Sequence, residues 1–97
     1  MKKFLAIGHW KENKNATFCV AMQATTKKDF RDNLGGNGFV PYVVISEKKM
    51  EILRNVSEFE LFAEVKKMTS NYRKWNVVCD YIDQCFDIME EKMANAQ

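Results

Sequence analysis

Three stretches of this sequence hold residue types that could do chemistry. The first is Asp32–Tyr42, DNLGGNGFVPY, which carries three of the chain's four glycines. Glycine-rich loops cradle phosphate when they follow a strand and open a helix, because the helix N-terminus supplies free N–H groups and positive dipole. Here the loop follows a helical stretch and leads into the strand-like run FVPYVVIS, and no GK[ST] completes a Walker motif. The glycines therefore serve the backbone. Gly35 suits a left-handed residue closing the helix, and Asn37–Gly38 suits a tight turn before the strand. No nucleotide and no other cofactor is expected.

The second stretch surrounds His9, the only histidine, so one chain cannot assemble a multi-histidine metal site. His9 and Cys19 would form a nucleophile–base pair if adjacent strands brought them together. A lone histidine beside Trp10 at a strand end reads first as a structural residue. No GxSxG elbow is present. The third is a row of carboxylates on the last helix, Asp80, Asp83, Asp87 and Glu90 or Glu91, spaced three and four apart. One helix cannot fold its own carboxylates into a cation cage without ligands from elsewhere. The row reads as a solvated acidic face, or as a docking surface for a basic partner. With no metal ligand set and no catalytic set, the sequence points to a non-enzymatic protein.

The remaining composition narrows the setting. The three cysteines, Cys19, Cys79 and Cys85, form no CxxC, and an odd number suits buried, reduced thiols of a cytoplasmic protein. Cys79 and Cys85 are six apart, which on a helix turns them about 120° from each other. The opening MKKFLAIGHW imitates a signal peptide, but its apolar run ends at Ile7, so a first strand is the better reading. Without a secretion signal the sequons at Asn15 and Asn55 carry little weight. No run is long and apolar enough for a membrane span.

Charge is unevenly spread. Residues 1–55 hold ten Lys/Arg against five Asp/Glu, and residues 56–97 hold five against eight. The asymmetry either lets two layers of one domain attract each other or marks a basic binding face. The second possibility defines an alternative function, nucleic-acid binding by Trp10, Lys11, Lys14, Lys27, Lys28 and Arg31. Such binders join positive charge to exposed aromatics that stack on bases. No RNP-like motif supports it here.

These residues need elements to hold them. KKFLAIGHW alternates Phe4, Ala6, Gly8 and Trp10 against Leu5, Ile7 and His9; both faces are apolar, so the strand should be central in its sheet. KENKNA is a polar loop, and TFCVAMQAT then returns as the second strand of an antiparallel hairpin. Thr26 and Asp29 carry helix-start chemistry, and Phe30 and Leu34 give that helix a buried edge. The third strand runs over residues 39–46; Pro41 cannot donate to a ladder, so the strand starts at an edge or its first residues lie outside the pairing. If it shares the sheet, a crossover through residues 26–38 should run it parallel to the second strand.

Residues 47–55 have two readings: a short helix capped by Ser46, favoured by Glu, Lys, Met and Leu, or a fourth strand over MEIL. Ser57 and Glu60 then form a capping box, with Val56 and Leu61 as its staple. An apolar ladder follows: Leu61, Val65, Met68, Tyr72, Trp75, Cys79, Ile82, Phe86, Met89 and Met93, stepping alternately by four and three. Thr69–Asn71 should break it, leaving either two helices or one interrupted helix. Val78, Tyr81 and Cys85 widen the apolar face.

The fold expected is α+β in a single domain over residues 1–97. Residues 1–46 supply a hairpin, a short helix and a third strand, and residues 47–97 are mainly helical. The sheet has three strands, or four if residues 47–55 join it, with the helices on one of its faces. The ladder carries more apolar surface than a small sheet needs. The expected function is therefore protein–protein interaction, with homodimerisation through the C-terminal helix at Tyr72, Trp75, Ile82, Phe86, Met89 and Met93. Replacing Ser57 with Ala should cost about 1 kcal/mol of stability, read from the shift in a urea-unfolding midpoint at constant slope.

Overall fold

Strand β1 (Lys2–Trp10) is the axis of the molecule. Its apolar residues alternate onto both faces, so it stays buried only if strands flank both edges and helices cover both faces. It has that surrounding. β2 (Asn13–Ala24) and β3 (Phe39–Ser46) pair with it on either side, both antiparallel, in the order β2-β1-β3. The two outer strands therefore run parallel to each other, as the crossover through α1 (Lys27–Gly36) requires. α2 (Glu47–Arg54), α3 (Glu58–Met68) and α4 (Trp75–Asn95) complete the chain. The computed structural model describes residues 1–69 and 74–95, and the side chains of that set as far as residue 87.

The helices divide between the two faces, which corrects the expectation that they share one. α1 lays Phe30 and Leu34 on Phe4, Ala6, Ala24, Phe39 and Val44, and Phe30 stacks on Phe4 with ring centroids 5.5 Å apart. The opposite face carries Leu5, Ile7, Ala21, Val43 and Ile45. It is covered by Met50 and Leu53 of α2, Val65 of α3, and Val78, Ile82 and Cys85 of α4. The physical reason lies in β1, whose two apolar faces each need a cover.

Three caps set the helix starts. The N–H groups of Asp29, Lys49 and Glu60 donate to the side-chain oxygens of Thr26, Ser46 and Ser57, at 3.1, 3.2 and 3.2 Å. Ser46 thereby resolves residues 47–54 as helix, and the sheet stops at three strands. Two turns differ from the sequence reading. KENKNA is not a six-residue loop: only Lys11 and Glu12 turn the chain, and Asn13 already pairs with Trp10. At this end β2 has passed the core, so polar residues extend the ladder without apolar alternation. Gly35 stays helical, and Gly38, at φ 84°, is the left-handed residue.

The register of β3 on β1 slips between Ile7 and Gly8. Ile7 opposes Val43 while Gly8 opposes Pro41, leaving Tyr42 as the extra residue of a β-bulge. Pro41 has no N–H to offer the ladder, and the Val40 carbonyl occupies the place a Cβ on Gly8 would take. The bulge turns Tyr42 and Val43 toward the same face, where both are buried. Simple alternation would have parted them.

A side chain at Gly8 must therefore displace backbone. Gly8→Ala should destabilise the protein by about 3 kcal/mol. Gly35→Ala, where an added Cβ meets nothing within 4 Å, should stabilise it by about 0.5 kcal/mol. Urea denaturation of the two variants against the wild type checks both signs.

Candidate functional site

α3 and α4 pack side by side on the sheet face also covered by α2, and the seam between them is an open, largely apolar groove. The capping serine fixes where α3 starts, and Thr69 closes its other end by donating its hydroxyl to the Val65 carbonyl at 2.7 Å. Only Val65 of α3 is fully buried. The helix buries Val65, packs Leu61 and Met68 partly against the same core, and leaves a second stripe, Phe59, Phe62, Ala63 and Lys66, facing α4 and solvent. Phe59 is 84% exposed and Phe62 40%, an unusual state for two neighbouring phenylalanines.

With Trp75 and Cys79 of α4 this stripe encloses a groove of about 470 Å³. Past Phe62 and Cys79, which line both, the groove continues into a second hollow of about 400 Å³ bounded by Leu53, Val56, Leu61 and Phe86. Lys66 and Asp80 stand on the rim. The Lys66 ammonium sits 5.6 Å from the Trp75 ring centroid, and the Arg54 guanidinium 5.5 Å from that of Phe86. A surface of this kind can bury an apolar helix or aromatic side chains.

The residues expected at an interface are placed differently from one another. Trp75 lines the groove, and Phe86 is half-buried at its far end. Ile82 is only 1% exposed and belongs to the core. The side chains of Met89 and Met93 lie outside the described residues, as does Tyr72. Phe59 and Phe62 are absent from the sequence expectation because the ladder through Leu61 and Val65 passes beside them. Their own spacing with Lys66, at i, i+3 and i+7, was the signal available.

The basic set does not converge. Lys11 and Lys14 are exposed at the hairpin end of β1, while Lys27 and Lys28 are exposed on α1 near its beginning. The strand between holds those ends roughly 25 Å apart. Arg31 lies exposed on α1, and Trp10, half-buried, packs edge-on against Phe39 with centroids 4.9 Å apart.

His9 and Cys19 do not pair either. Both face the same side of the sheet, but Nδ1 of His9 lies 2.7 Å from the Tyr42 hydroxyl across to β3, while Cys19 meets Cys85 on α4. The bulge that turns Tyr42 inward gives His9 the Tyr42 hydroxyl as its partner rather than the Cys19 thiol. Asp80, Asp83 and Asp87 are exposed, and among the described residues no group of three or more His, Cys, Asp or Glu could hold a metal ion. Among them, too, no helix is long and apolar enough to cross a membrane.

Comparisons with protein-family models, curated proteins and solved structures return no match.

One ion pair joins α2 to α3. Lys49 of α2 reaches Glu64 of α3 at 3.0 Å, with Lys67 at 3.6 Å on the other oxygen. The hydrogen bond and charge of Lys49, then the charge of Lys67, hold the Glu64 carboxyl below its ordinary range. A depressed folded-state value means the pair supports the fold at neutral pH and loses that support as pH falls through it. Glu64→Gln should flatten this part of the acid limb in a plot of stability against pH, with a small effect at neutral pH.

Proposed function

We propose that this chain is a non-enzymatic binding domain that works through protein–protein association, with a second copy of itself as the occupant of the α3–α4 groove. The observation that carries this reading is the exposure of Phe59 beside the groove it helps to line. Protruding ring and receiving hollow lie on the same face. A two-fold rotation would therefore seat each Phe59 in the other copy's groove, the self-complementary arrangement of an isologous dimer.

The charges of α3 favour the same geometry. Glu58 and Glu60 lie in its first turn and Lys66 and Lys67 in its last. Two copies of α3 crossing antiparallel would set acidic ends against basic ends, while Ala63 near the middle lets the helices approach closely. The aromatic content is that of an interface core with a charged rim. The contact is centred on α3 and the start of α4, and is thus shifted from the run toward Met93 that the ladder suggests.

Multi-angle light scattering across a concentration series tests the reading. The wild type should pass from monomer to dimer as concentration rises. Phe59→Asp should remain monomeric with an unchanged circular-dichroism spectrum, because an exposed ring contributes little to the fold. A wild type that stays monomeric at high micromolar concentration overturns self-association.

A further inference from the structure

Cys19 and Cys85 are sixty-six positions apart in sequence and come together where β2 meets α4, with their sulfurs 2.9 Å apart. Both thiols are free. We propose that the two form a reversible dithiol–disulfide couple, which a small-molecule disulfide such as oxidised glutathione closes and thiols reopen, tying the edge strand to the last helix.

The surroundings assign different tasks to the two sulfurs. Cys19 lies on the outer strand and is partly exposed, whereas Cys85 is 0% exposed in the core. An incoming disulfide can reach only the first. Cys85 donates its S–H to the Cys19 sulfur. That hydrogen bond, against an opposing effect of burial, holds the Cys19 thiol below its ordinary range. The same bond, burial and the neighbouring Cys19 charge push the Cys85 thiol well above its own. Cys19 is thus the readier thiolate and the attacking group, and Cys85 the resolving one.

In the first step the Cys19 thiolate attacks one sulfur of the glutathione disulfide, forming a mixed disulfide and releasing one glutathione thiolate. In the second, Cys85 gives its proton to that leaving thiolate and attacks the Cys19 sulfur, expelling the second glutathione, which takes its proton from water. Two protein thiols are oxidised to one disulfide, and one glutathione disulfide is reduced to two thiols. Cys79 stands apart as an internal control. It is half-buried in the α3–α4 groove, and burial together with Asp80 raises its thiol above the ordinary range.

The test equilibrates the full chain in buffers of increasing oxidised-to-reduced glutathione ratio, quenches with an alkylating reagent, and maps the non-reduced peptides. Cys79 and Cys85 share the tryptic peptide between Lys74 and Lys92, so fragmentation between the two must assign the bond. The expected product is a Cys19–Cys85 disulfide in monomeric protein, with Cys79 alkylated and the reaction reversed by dithiothreitol. Closing so long a loop should raise the Tm by roughly 10 °C. In Cys85→Ser, Cys19 should accumulate as the glutathione adduct, whereas Cys79→Ser should leave the couple intact.

Full alkylation of Cys19 and Cys85 in the most oxidising buffer overturns the proposal. So does a wild-type product that stops at the Cys19 adduct, or one that joins Cys19 to Cys79. Because the wild-type mapping alone separates these results, a variant that failed to fold would not leave the question open.

Discussion

The closeness of β1 and β3 at Gly8 governs how the rest of the molecule is arranged. With no Cβ at that position the Val40 carbonyl can approach the central strand, and Pro41 removes the N–H that a regular ladder would have used there. The mismatch is absorbed by one additional residue, Tyr42. From that slip follow the inward turn of Tyr42, its meeting with His9, and the assignment of Phe39 and Val44 to one face but Val43 and Ile45 to the other. Lys74, at the entry to α4, lies over the Tyr42 ring at 5.3 Å from its centroid. A feature on the sheet edge thereby helps to seat the helix that walls the groove.

Local chemistry made much of this legible in the sequence. β3 has the predicted bounds because glycine chemistry precedes it and a capping serine ends it. The helix starts at Thr26 and Ser57 were legible, and Ser46 supported one of two readings of its segment, because each hydroxyl acts within three residues of itself. β1 was recognised as central from its two apolar faces. The same observation already implied a second layer of helices, since an apolar face without a cover would be left in water. What could not be read were relations between distant segments: which face α1 would take, the one-residue slip opposite Gly8, and the meeting of Cys19 with Cys85. The hairpin was read correctly, but its turn was taken as too long for a related reason. β-forming preference reflects burial against neighbours, and Asn13 to Asn15 have few neighbours while still pairing or extending the strand.

The candidate site shows the limit of reading helices by their ladder. Heptad rhythm identifies the stripe that can be buried, and Leu61, Val65, Ile82 and Phe86 are indeed drawn toward the core. A helix can carry a second apolar stripe that the core does not absorb, and on α3 that stripe is Phe59 and Phe62. The core and the groove are thus built from different sides of one short helix. A substitution on the exposed stripe therefore leaves the packing around Val65 undisturbed.

The strand order also sets the order in which the chain can pay out its entropy as it folds. β1 precedes both of its neighbours. It meets β2 through a two-residue turn, a local closure of the kind that forms on the microsecond scale. Its other edge must wait for residues 39–46, which return only after β2 and α1 have been traversed, and loop-closure entropy opposes that step. The hairpin is therefore the natural nucleus. The docking of β3, with Val40 against Gly8, is on this topology expected to come late, converting a half-covered strand into a two-sided core.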